Sequence, residues 1–268
     1  MGNNDQQAYD RGTSLFSPDG RIYQVEYARE AVSRGAPSVG IRTADGVVFV
    51  AMSRASSTLM EVESIEKLHK LDDHLGTASA GHVADARQLI DLARRQSQGN
   101  RLRYGEPVGV ETLTKFLTDH IQENTQRGGT RPYGAALLIG GIENGEPRLF
   151  AADPSGTPNE WKATVIGGGR QDIQGHLEEE WSDDLSLSAG IELGLSALAA
   201  HEDEFEPADV AVATITEADG YQTVPTDEVA SAFESVGLAT EDDESEAGDD
   251  ESSGDDGDAD ESDDADDE

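Results

Sequence analysis

The chain has 268 residues, no cysteine, and 56 acidic against 19 basic side chains, a formal charge of −37. Such a length suits one domain, or two small ones, with a real core. The composition excludes disulfides, thiolate metal sites and cysteine nucleophiles; no apolar run approaches the 18 residues of a membrane helix, and so negative a surface argues against nucleic-acid ligands.

Residues 1–12 are polar and predict a flexible segment without a secretory h-region. Tyr9-Asp10-Arg11 follows, then Ser17-Pro18-Asp19-Gly20, a tight turn with Pro second and Gly fourth. Ile22, Val25, Ala28 and Val32 recur at helical spacing and predict a helix over about 20–34, with Gly35 as its C-cap. Val39–Thr43 and Val47–Ala51 flank Ala44-Asp45-Gly46 and read as a hairpin. Strands are expected near 65–71 and 75–80. The apolar face of Val83, Ala86, Leu89, Ile90 and Ala93 marks a helix, and Val110, Leu113, Leu117 and Ile121 mark a second after Pro107.

Strands then return. Ala135–Ile139 is a glycine-bounded apolar run, Asn144-Gly145 is a strong hairpin turn, and Arg148–Ala151 should pair back. Another strand is expected over 162–166, helices at about 170–181 and 185–200, strands at 209–216 and 221–224, and a short helix near 226–236. Gly167-Gly168-Gly169 lacks a dinucleotide-binding spacing and reads as a tight strand-to-helix corner. The pattern is α+β with two sheets and helix pairs outside them. Residues 241–268 hold 18 acids, no base and no large apolar side chain, so disorder is expected there. The rest of the chain still carries −19, and arginine outnumbers lysine fifteen to four. Acids spread over the whole chain fit a highly saline cytoplasm, where at about 1 M salt the Debye length falls to roughly 3 Å and self-repulsion is screened. The rival reading of the charge is an acidic protein that binds basic partners, and a second function class is an acidic binding protein that works through its tail.

The segment Tyr9–Val32 resembles the N-terminal signature of proteasome α subunits, the ring-forming, non-catalytic partners of a threonine protease. Further blocks keep the family's order: Ser64-Ile65-Glu66-Lys67-Leu68, Gly81 with Val83-Ala84-Asp85-Ala86-Arg87, Gly128-Gly129-Thr130-Arg131-Pro132-Tyr133-Gly134, and Asp153-Pro154-Ser155-Gly156. The resemblance covers roughly 8–236 and is nearest to archaeal, haloarchaeal-like subunits. It implies a four-layer αββα sandwich of the N-terminal-nucleophile hydrolase type over 13–236, with an N-terminal gating helix, a flexible gate segment over 1–12 and a disordered acidic tail over 241–268. It implies heptameric outer rings on a β-subunit chamber that template assembly, gate the axial pore, and dock a proteasome-activating ATPase for degradation of unfolded proteins in the cytoplasm. No cofactor, metal, membrane or nucleic acid is implied.

Residue by residue, the family's gate cluster falls on Tyr9, Asp10, Arg11, Pro18 and Tyr27. Tyr27 could instead be helix packing, and Asp10 a capping acid. The activator-docking pocket falls on Glu26, Gly35, Lys67 and Gly81. There Lys67 pairs with a terminal carboxylate, and the glycines admit another backbone; a surface ion pair with Glu63 or Glu66 is the alternative for Lys67. His82 stands where archaeal relatives often carry an apolar residue. The pore loop falls on Arg127, Gly128, Gly129 and Thr130, with Arg127 where relatives often have tyrosine. The family's catalytic threonine would fall at about Ala36, a methyl side chain inside the chain, so no catalytic residue is assigned and Ser38 reads as an ordinary strand residue.

Overall fold

A computed structural model describes residues 22–53, 59–61, 64–126, 130–202 and 204–238. Among them, ten strands and six helices follow in chain order: α1 (Tyr23–Ser33), β1 (Ser38–Arg42), β2 (Gly46–Met52), β3 (Leu68–Asp72), β4 (Leu75–Gly81), α2 (Val83–Tyr104), α3 (Val110–Gln126), β5 (Ala135–Glu143), β6 (Glu146–Ala152), β7 (Pro158–Glu160), β8 (Ala163–Ile166), α4 (Arg170–Glu180), α5 (Leu187–Ala199), β9 (Val210–Thr216), β10 (Gly220–Val224) and α6 (Thr226–Ser235). The expected flexible gate segment and disordered tail lie outside these residues.

The strands form two five-stranded sheets, β10-β9-β2-β1-β8 and β3-β4-β5-β6-β7, paired antiparallel throughout. Alternation along the central strands builds the layers. Val47 and Phe49 of β2 meet Ala136 and Leu138 of β5 in a core between the sheets. Their neighbours point the other way: Val48 and Val50 pack under α4, α5 and α6, and Leu137 and Ile139 pack under α2 and α3. Both faces of both sheets are therefore buried, which is why β2 and β5 read as apolar runs rather than alternating patterns. The architecture is the α+β, four-layer αββα sandwich implied by the resemblance.

Several expected boundaries shift. Residues 65–67 lie outside β3, and the short edge strand β7 was not expected; three residues give no readable alternation. The Asn144-Gly145 hairpin forms with both residues at positive φ, 56° and 81°, the geometry a two-residue turn requires. The expected C-cap at Gly35 is corrected. Helix α1 ends on Arg34 in ordinary right-handed geometry, and Gly35 is small for another reason, given below.

Candidate functional site

The chain leaves α1 at Arg34, passes through Gly35-Ala36-Pro37 and starts β1. Helix α1 buries Val25, Ala28 and Val32 and lies over β4 and β5. Its outer side is tied down by Arg29, which donates through Nε and Nη2 to Asp153 at 3.0 and 2.8 Å and through Nη1 to Glu26 at 2.9 Å. The glycine corner after β8 closes on the same junction. Gly167 and Gly169 adopt φ of 102° and 64°, and the Gly168 N–H donates to the Gly35 carbonyl at 2.7 Å. That corner was expected.

Gly35 and Gly81 belong to one close backbone crossing. A Cβ on Gly35 would stand 2.7 Å from the Gly81 nitrogen, and one on Gly81, at φ +99°, would stand 2.4 Å from the Gly134 carbonyl oxygen. Both glycines let the chain's own backbones meet. This is a reading the residues alone did not offer.

Beside the crossing opens a cavity of about 520 Å³, walled by Gly35, Ala36, Met52, Lys67, Gly81 and Arg87 among others. Lys67 is half-buried. Its Nζ donates to three carbonyl oxygens, those of Ala36 at 2.6 Å, Met52 at 3.0 Å and Pro37 at 3.1 Å. Burial pushes the amine down to about 7. The carbonyls pull the other way, because three acceptors need the three hydrogens that only the ammonium carries. Lys67 thus places a positive charge at the foot of β1 and clasps the α1–β1 junction. Glu66, one of the partners considered for it, instead lies 3.8 Å from His69 Nδ1. Burial, with the Arg94 and Arg87 charges nearby, holds the His69 imidazole below its usual value.

Three of the four expected pocket residues, Gly35, Lys67 and Gly81, meet at this cavity. Glu26 is absent from its wall and faces Arg29 instead. Tyr27 is 46% exposed, and its ring stacks 6.5 Å from that of Tyr23 on the same helix. Tyr9, Asp10, Arg11 and Pro18 lie outside the described residues, as do Arg127, Gly128 and Gly129. Thr130, at the end of the expected pore loop, donates from Oγ1 to the Asn124 carbonyl at 2.8 Å. Just beyond it, Arg131 forks onto Asp85 at 2.5 and 2.7 Å, and the Gly134 N–H donates to the same carboxylate at 2.8 Å. Burial pushes the Asp85 carboxyl up, but Arg131 and the Gly134 N–H outweigh it and hold it below the usual carboxylate range.

At the position matched to the nucleophile, Ala36 offers a methyl group and a carbonyl bonded to Lys67. Ser38 is fully buried and donates to the Ser79 carbonyl at 3.0 Å, an ordinary strand residue. Among the described residues no three His, Asp or Glu side chains are grouped to hold a metal, and no helix is long and apolar enough to cross a membrane. Sequence reasoning missed Arg87 and Met60 on the cavity wall and the Arg29–Asp153 tie. Their signal was there: Arg87 and Asp153 both lie in the matched blocks, without an assigned role.

Two layers of antiparallel sheet between helices, with a helix leading into β1, define the proteasome-type sandwich. The Proteasome subunit family model matches residues 32–215, and the N-terminal signature of A-type proteasome subunits matches residues 9–31. The chain belongs to the proteasome α subunit family, the α subunits of the 20S core. It is 63% identical over 250 residues to the proteasome alpha 2 subunit of Haloferax volcanii, covering 93% of this chain and 99% of that one. It is 58% identical over 253 residues to the proteasome alpha subunit of Natronomonas pharaonis, covering 93% and 99%. To the proteasome alpha subunit of Haloquadratum walsbyi it is 65% identical over 216 residues, covering 80% and 86%. These relatives come from halophilic archaea, in keeping with the acidic, lysine-poor composition.

Proposed function

We propose that this chain builds the heptameric outer rings of a cytoplasmic proteasome core, does no catalysis itself, and gates and docks for the β-subunit chamber. The observation that carries this reading is the cavity where Gly35, Lys67 and Gly81 converge, because it sits against the junction of α1 and β1. A group docking there touches the base of the helix that follows the gate segment. The positive charge at Lys67 suits the terminal carboxylate of a proteasome-activating ATPase tail. Catalysis is assigned to the β subunits because Ala36 has no nucleophile and Ser38 is bonded within the fold. Tyr9, Asp10, Arg11, Pro18 and Tyr27 would hold the open gate, and residues 127–130 would line the pore through which unfolded substrates pass.

The test is reconstitution with β subunits. End-on electron micrographs should show sevenfold rings stacked four high, and removal of residues 1–12 should raise basal hydrolysis of short peptides. Peptidase activity of the isolated chain, or an unchanged basal rate in the truncated particle, would overturn the reading.

A further inference from the structure

The cavity carries a second cation that the docking reading leaves unused. Arg87 stands on the second turn of α2, is exposed, and lines the same wall as Lys67. The two cations are in opposite hydrogen-bonding states. All three Lys67 hydrogens are spent on the carbonyls of Ala36, Pro37 and Met52. A carboxylate approaching Lys67 finds charge there, but gains a hydrogen bond only by displacing one of those oxygens. Arg87 forms no hydrogen bond or ion pair among the described residues, so its planar fork of five N–H donors is unspent.

The surroundings direct that fork toward a ligand. Arg87 and His69 line the same cavity, and the Arg87 charge adds slightly to the burial that holds the His69 imidazole below its usual value. Beside it at the mouth stand Val83, 64% exposed, and Met60, 42% exposed, which offer apolar surface to a peptide side chain. The wall also carries Glu66, whose carboxylate lies toward His69; against that one acid stand two cations, Lys67 and Arg87, in a chain of −37. Lys67 lies at the foot of β1 and Arg87 on α2, so the two cations reach the cavity from different elements.

We propose that Arg87 is a specificity-determining contact of this cavity, which takes a peptide C-terminus bearing an acidic side chain beside its terminal carboxylate. Lys67 attracts the terminal carboxylate, and Arg87 forks onto the acidic side chain. The proposal rests on the docking reading above and adds to it the chemistry of the tail.

Four synthetic peptides separate the two. Two end in Leu-Tyr-Glu and Leu-Tyr-Gln with free carboxylates, and two are the same sequences as C-terminal amides. Binding is measured by fluorescence anisotropy to particles reconstituted with β subunits. Wild-type particles should prefer the Glu peptide to the Gln peptide by about tenfold, the size of one charge-assisted hydrogen bond. Arg87→Gln should abolish that preference while keeping the preference for free carboxylate over amide. Arg87→Lys, which keeps the charge but loses the fork, should retain only part of it. Equal binding of the Glu and Gln peptides to wild type, or a preference that survives in Arg87→Gln, would overturn the role of Arg87. Equal binding of acid and amide peptides to wild type would overturn the docking reading itself, and this proposal with it.

Discussion

Lys67 and Arg131 are both cations at the edge of the second sheet, yet their neighbours give them opposite uses. Arg131 is matched by the Asp85 carboxylate in a forked pair; the charge is cancelled, and the pair fastens the segment leading into β5. Lys67 is matched by three carbonyl oxygens. These satisfy its hydrogens without cancelling its charge. Partner type, rather than burial or residue type alone, separates a cation whose charge is cancelled from one whose charge is kept.

The largest effect is expected where the Lys67 cavity meets the fold. Gly81→Ala combines a strained positive φ with a collision against the Gly134 carbonyl, which lies on the Arg131 side. Strain and overpacking together should cost about 4 kcal/mol, read as a lower denaturant midpoint. A midpoint near wild type would show that the two sites are not joined by that backbone crossing.

Next comes the structural cation. Arg131→Met leaves the Asp85 carboxylate, 4% exposed, with only the Gly134 N–H. Because Arg131 itself is largely exposed, the loss should be about 2 kcal/mol at neutral pH. Asp85 has its pKa depressed in the folded state, so its contribution is present above the unfolded carboxylate pKa and is lost as pH falls through the folded one. The gap between wild type and Arg131→Met should therefore close in acid. A gap unchanged down to that range would place the stabilisation elsewhere.

Lys67 gives the smallest signal, and on the docking proposal it runs the other way with pH. With burial pushing Lys67 down to about 7, the ammonium form prevails below that pH and is lost above it. Affinity for a peptide with a free carboxylate should be flat below pH about 7 and fall above it, by at most about tenfold per pH unit. Lys67→Met should abolish the slope. A flat profile up to pH 9 would mean that the three carbonyls keep the ammonium charged throughout, and would sharpen the contrast with Arg131 further.

Much of this molecule was readable in its residues. Apolar periodicity and turn residues located nearly all the elements, because every strand and helix had to bury a face, and Asn144-Gly145 could do little but turn. The resemblance grouped Lys67, Gly35 and Gly81 as one pocket, and the three line one cavity. Glu26 was read into the same pocket, but it faces Arg29, a contact set by how α1 lies on β4 and β5. The three-residue strand β7 was too short to show a period.

What the sequence by itself determined is the local inventory: which segments are strand or helix, where the chain must turn, that the protein is acidic throughout, and which family it joins. Tertiary structure alone decided how those groups are paired. Asp85 and Arg131 are 46 residues apart, Arg29 and Asp153 are 124 apart, and Lys67 reaches carbonyls 15 to 31 residues away. No local pattern encodes such distances. They follow from stacking two sheets so that both faces of each are dry, and that stacking leaves one lysine among carbonyls and one arginine open to the cavity.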